Sequence, residues 1–153
     1  MFNYKNSSKN IESGQSLIEL ALVMVFLLLL VAGIVDIGRA FFTYISLRDA
    51  AQEGALVGSI DYTTTCTTVI DRVRSTSTGF PIDLSDDTIV DISCNIPDPY
   101  CAGEDVGVTV SHGNFQLSMP LIGTVIGSQT ITITASITDT TVTGHPDPSI
   151  CPP

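Results

Sequence analysis

Positive charge is scarce in this chain. Six Lys and Arg stand against sixteen Asp and Glu, a formal charge of −10. Nucleic acid is bound through clustered Lys and Arg, so it is excluded as a partner. Catalytic signatures are missing too: the sequence contains no GxSxG, no HExxH and no Gly-rich phosphate loop, so the common nucleophile, metalloprotease and nucleotide sites have nothing to build on. No cysteines stand at CxxC spacing, and neither His112 nor His145 completes a CxxH. Structural zinc gathers its ligands in such tight pairs, and the competing zinc reading is therefore set aside. His112, at the end of a predicted strand, is isolated from any catalytic pattern. The expectation is a chain that is not an enzyme and holds no cofactor.

Charge of either sign is absent from Leu20 to Val35, where every residue is apolar or Gly. With Leu17 and Ile18 the run reaches the roughly 20 residues a helix needs to cross a bilayer core about 30 Å thick. Glu19 is the one acid within Ser13 to Val35. An ionisable group at such a place is costly and points to function; snorkelling to the interface is the alternative. Lys5 and Lys9 precede the span and Asp36 follows it, which predicts a cytoplasmic N-terminus and an external C-terminal part. The span, placed at about residues 17–35, is too long for the apolar region of an ordinary cleaved secretion signal.

Proline is absent from Asp36 to Gly58 while helix formers recur, so the helix is expected to continue past the membrane. From Gln15 to Gly58 it would measure roughly 66 Å. Leu47, Ala50, Ala51, Gly54, Ala55 and Gly58 form a stripe of mostly small side chains at helical spacing, fit for close packing against either the chain's own sheet or a neighbouring subunit. Phe41, Phe42 and Tyr44 fall just past the span, at headgroup level.

With 153 residues there is room for one modest domain beyond this helix. A short amphipathic helix is predicted from Cys66 to Ser77, capped by Thr65 or Thr64 and closed by Gly79 and Pro81. Alternation marks three strands, at Thr88 to Cys94, Val106 to Val110 and Ile131 to Ile137. Between the last two, the loop Gly113 to Gly127 carries Phe115, Leu117, Met119, Leu121, Ile122, Val125 and Ile126, with Pro120 opening a short helix. Asp83, Asp86 and Asp87 crowd together in a way that could cradle Ca²⁺, although they lack EF-hand spacing and also read as an acidic surface loop.

Cys66, Cys94, Cys101 and Cys151 all follow the apolar segment. An even number outside the cytoplasm reads as disulfides. Three pairings are possible; the turn-forming NIPDPY favours Cys94 with Cys101 and leaves Cys66 with Cys151.

Gly14 followed by Gln15, Ser16, Leu17, Ile18 and Glu19 resembles the cleavage site of type IV pilin-like precursors. The stretch from Gly14 to Ala55, with Gly33, Asp36, Gly38, the Arg39-Ala40-Phe41 step and Glu53, is similar to the N-terminal domain of TadE-like proteins, pseudopilins or minor pilins of tight-adherence (Flp) pilus systems. The resemblance implies a leader peptide at 1–14 removed by a prepilin peptidase between Gly14 and Gln15. It implies a long helix at 15–58 that assembles with other pilin subunits and membrane lipid, Glu19 meeting a neighbour's new amino group. The strand alternation itself calls for one face of the sheet to be buried, and the C-terminal half of the long helix is the surface to bury it against, so the expected fold is α+β and pilin-like: the protruding helix packed on an antiparallel sheet of about three strands, within an extracytoplasmic domain at 59–153. The alternative is a membrane-anchored surface binding module that never polymerises.

Overall fold

Helix-forming residues uninterrupted by proline produce α1 (Lys9–Ile60), one helix of 52 residues. It belongs to a computed structural model that describes residues 9–77, 82–119, 123–124, 127–147 and 149–151. At 1.5 Å per residue α1 is about 78 Å long. It starts ahead of Gly14, so residues 9–14 of the expected leader belong to the same helix.

After a turn in which Asp61 accepts hydrogen bonds from the backbone and hydroxyl of Thr63, the chain enters α2 (Cys66–Thr76). Thr65 occupies the N-cap position but makes no side-chain cap bond. Its hydroxyl pairs instead with those of Thr67 and Thr68. Val69 and Val73 are fully buried. Gly79 and Pro81, expected to close this helix, lie outside the described residues.

Three antiparallel strands follow, β1 (Val90–Asn95), β2 (Asp105–Gln116) and β3 (Thr130–Thr140), in spatial order β1-β2-β3. Period-two alternation sends Val90 and Ile92, then Val106, Val108 and Val110, then Ala135 to one buried face. That face packs on Leu47, Ala50, Ala51 and Ala55 of α1 and on Val69 and Val73 of α2. The fold is therefore the expected α+β arrangement of a long N-terminal helix on a three-stranded antiparallel sheet.

Two expectations are corrected. The segment Gly113 to Gln116 is strand rather than loop: β2 continues through an irregularity between His112 and Phe115, and Phe115 pairs with Ile131. Phe115, only 5 % exposed, gives this extension a buried side chain to hold it. Pro120, Leu121, Ile122, Val125 and Ile126 of the predicted short helix lie outside the described residues.

The disulfide pairing also differs. Cys66 bonds to Cys94 and Cys101 to Cys151, with Cα separations of 5.6 and 5.4 Å, both inside the usual range. The register explains why Cys94 and Cys101 do not meet. Cys94 lies opposite Val108, well along β2, whereas Cys101 stays in the connection that precedes this strand. Cys66, the first residue of α2, is brought to the end of β1. The tail returns to Cys101, where His145 donates its N–H to Tyr100 O at 2.9 Å. With every cysteine so bonded, no thiolate is left for zinc.

Candidate functional site

Among the described residues, nothing packs around the lower part of α1. From Gly14 to Leu28 every residue is exposed, Leu17 by 66 %, Leu22 by 70 % and Phe26 by 65 %. An apolar surface this long is not stable in water, and the helix is long and apolar enough to cross a membrane. Gly14 and Gln15 sit on this bare helix. A Cβ on Gly14 would meet nothing within 4 Å, so no packing among the described residues calls for glycine there. Glu19 is exposed, with no ion pair or hydrogen bond to another described residue.

The sheet takes hold of the helix where the apolar run ends. Asp36 is 2 % exposed, and its carboxylate accepts the backbone N–H of Ser118 at 3.1 Å and of Met119 at 2.9 Å. One turn on, Arg39 lies 3.8 Å from Asp36, donates to Ser118 Oγ at 2.8 Å and stands over the Phe115 ring. Gly33 leaves room below for Met119, whose Cε and Sδ would be 3.3 Å from an added Cβ. Sequence reasoning used Asp36 as a sign of orientation and as a residue of the TadE-like resemblance, not as an anchor for the sheet. A carboxylate closing an apolar run with Arg at i+3 is a local signal for an ion pair, but the other partners of Asp36 come from more than eighty residues away.

Phe41 and Phe42 are 60 % and 62 % exposed beside this node, where a headgroup region would begin. Between α1 and β2 a groove of about 400 Å³ is lined by Arg39, Phe42, Thr43, His112, Asn114 and Phe115. His112 faces no carboxylate there; its Nδ1 is 3.3 Å from Ile89 O.

Higher on the helix the small stripe is used inside the chain. Ala50, Ala51 and Ala55 are buried; a Cβ on Gly54 would come within 2.5 Å of Val73 Cγ2, and one on Gly58 within 2.7 Å of Val106 Cγ1. These glycines let α2 and β2 approach the helix backbone. The last carbonyls of α1, which have no partner within the helix, are met by distant donors. Tyr100 Oη donates to Gly58 O at 2.8 Å, Val142 N–H to Ser59 O at 2.9 Å, and the Thr143 hydroxyl to Ile60 O.

The acidic loop is built as turns. Asp83 accepts from the hydroxyl and N–H of Ser85, and Asp86 from those of Thr88. These bonds, the hydroxyl's foremost, hold both carboxyls below their ordinary range. Asp87 pairs with Arg74. Among the described residues no three His, Cys, Asp or Glu side chains gather as metal ligands.

Helix and sheet together define a class: an α+β chain whose membrane-length helix becomes, in its upper half, the spine of a disulfide-bonded sheet. A family model described as TadE-like protein matches residues 14–56. The match begins at Gly14 and covers the bare helix, the Asp36 node and most of the small stripe, about a quarter of the chain, so it speaks for the helix and not for the sheet. No curated protein and no solved structure matches the chain.

Proposed function

We propose that the chain is a structural or assembly subunit of a tight-adherence (Flp) type IV pilus, a TadE-like pseudopilin. The observation that carries this reading is the TadE-like match across residues 14–56, lying on a helix that is bare below Asp36 and clothed above it. On this reading residues 1–14 are a leader, the bare part of α1 lies in the cytoplasmic membrane with its N-terminus inside, and residues 59–153 form the external domain. A prepilin peptidase cuts after Gly14, and the new amino group at Gln15 meets Glu19 of a neighbouring subunit. Its other partners are pilin subunits and membrane lipid, and its role is structural rather than enzymatic.

Exposure supports the assembly role of Glu19, since a carboxylate with no partner among the described residues is available to another chain. One observation favours the alternative of a non-polymerising anchored module: the small stripe is consumed by the chain's own domain and offers neighbours nothing above the membrane. Mass spectrometry of the protein from its native membrane separates the readings. A mature N-terminus at Gln15 is expected; one still at Met1 or Phe2 in piliated cells would sink the processing.

A further inference from the structure

Thr43 is a buried side chain with a hydroxyl that the fold does not use. It is 4 % exposed, and the hydroxyl makes no hydrogen bond to another described residue. Every fully occluded side-chain nitrogen or oxygen among the described residues has a partner. The Thr43 hydroxyl is therefore reached from outside, and the opening that Thr43 lines is the groove between α1 and β2. A hydroxyl left dry and unbonded there costs stability, which a polar ligand in the groove recovers.

The other side chains of the groove suit an anion. Arg39 spends Nη1 on Ser118 Oγ at 2.8 Å and lies 3.8 Å from Asp36, with its guanidinium over the Phe115 ring. These contacts hold the guanidinium in place, half exposed, and leave Nε and Nη2 without a bond to any described residue. A guanidinium so presented donates two parallel N–H groups to one phosphate. On the β2 wall the side chain of Asn114 is exposed and unbonded, and no described Asp or Glu lines the groove. The carboxylate behind Arg39, that of Asp36, is turned to the N–H groups of Ser118 and Met119.

Height on the helix decides which anion. Asp36 is covered by the continuation of β2, so the outward surface of α1 stays apolar through Ile37, which is 72 % exposed. At 1.5 Å per residue Arg39 and Thr43 stand about 3 and 9 Å beyond Ile37. The headgroup layer is roughly 5 to 7 Å thick on each side of the hydrocarbon. On the membrane-anchored reading above, the lipid phosphates fall between these two side chains. A free phosphate is repelled by a chain of formal charge −10. A phospholipid is held at this depth by its acyl chains along the bare helix, and the exposed ring of Phe42 gives its headgroup an apolar rim.

We propose that the groove between α1 and β2 binds the phosphate of a phospholipid headgroup. Arg39 donates Nε–H and Nη2–H to its charged oxygens, and Thr43 and Asn114 add a hydroxyl and an amide donor. The volume, about 400 Å³, is that of a small-ligand site. The proposal rests on the membrane-anchored reading. Bound there, the lipid ties helix to sheet at the membrane surface and fixes the depth at which the domain rides.

The test is native mass spectrometry of the full chain in dodecyl maltoside micelles, a detergent without phosphate, titrated with phosphatidylethanolamine. One phospholipid per chain should be retained, and diacylglycerol with the same acyl chains should bind about tenfold or more weakly. Thr43→Val keeps the shape and removes a hydroxyl that no described residue uses. Its melting in lipid-free micelles should therefore stay level or rise, while its affinity for the phospholipid falls about tenfold. Arg39→Gln should lose as much or more. Equal retention of the two lipids, or full affinity in either variant, overturns the proposal. Inorganic phosphate that displaces the lipid assigns the groove to a free anion and overturns it too. A photo-crosslinking benzophenone in place of Gln116, on the groove's rim, should capture lipid in the native membrane; capture of a protein chain instead overturns the headgroup as occupant. Alkaline carbonate extraction, run alongside, reads the anchor itself. A retained chain without preference for the phospholipid defeats the headgroup site alone, and a released chain defeats the site and the anchored reading together.

Discussion

Asp36 and Met119 are joined at 2.9 Å across 83 positions of sequence, a carboxylate on α1 receiving a peptide N–H from the end of the β2 strand's continuation. With the second bond from Ser118 N–H, this fixes how high the sheet sits on the helix, one turn above the bare apolar surface.

Asp36→Ala should therefore loosen the lower edge of the sheet. It leaves two part-buried N–H donors without an acceptor, at about 1 to 3 kcal/mol each. Thermal unfolding in detergent should fall by on the order of 10 °C. Asp36→Asn keeps one carbonyl oxygen as acceptor and should lose less. Equal melting of Asp36→Ala and the parent chain would show that the node does not hold the sheet.

Gly54 and Gly38 should respond oppositely to alanine. At Gly54 the new Cβ enters the space of Val73 Cγ2, and overpacking of this kind costs about 1 to 3 kcal/mol. At Gly38 nothing lies within 4 Å of an added Cβ, so alanine should gain up to about 1 kcal/mol of helix propensity. Gly54→Ala with Val73→Ala should cost less than the two single changes added together, because each relieves the other. Additive losses in a double-mutant cycle would place the close contact elsewhere.

The two glycines also show what the sequence could and could not convey. Helical spacing made the tight face of α1 legible, because periodicity is local. It did not say whether α2, β2 or another subunit fills that face, since Val73 and Val106 have no sequence relation to Gly54 and Gly58. The strands were legible through Val106, Val108, Val110 and the ITITASIT alternation, yet β2 ran further than its apolar pattern because Phe115 resumes the buried face only after an irregularity. The cysteine pairing turned on where the tail returns. A turn between Cys94 and Cys101 suggested closure, but the register carries Cys94 past Cys101 to Val108. Asp36 was visible as a charge and invisible as an anchor, because its acceptor role is defined wholly by residues far along the chain.

Tyr100 makes the top of the helix sensitive to alkali. Burial, and secondarily the Asp61 carboxylate, raise its phenol above the ordinary value of 10.0, and its hydroxyl donates to Gly58 O. Below pH about 10 the phenol is neutral in both the folded and unfolded chain, so its contribution is fully present. As pH rises further the unfolded chain loses its proton first, and that contribution is lost through the raised folded pKa. Stability should decline above pH about 10, with Tyr100→Phe less stable at neutral pH by about 1 kcal/mol for the lost bond and flatter in the alkaline limb. Parallel alkaline curves for the two proteins would remove Tyr100 as the cause.

Substitutions at Glu19 test insertion and assembly separately. A charged side chain in the bilayer interior opposes insertion by up to about 2.5 to 3.5 kcal/mol, and by less near the interface. Glu19→Ala and Glu19→Gln should therefore enter the membrane at least as well as the parent chain and resist carbonate extraction equally. If the carboxylate's role is to meet a neighbour's amino group, neither variant should support pili, because Gln keeps the shape and the hydrogen-bonding carbonyl but not the charge. Glu19→Asp keeps the charge on a shorter stem and should retain part of the activity. Counting sheared pili beside the membrane-bound pool distinguishes the cases: lost pili with a full membrane pool locate the defect in pairing, whereas normal pili from Glu19→Ala would reduce Glu19 to a side chain that reaches for water.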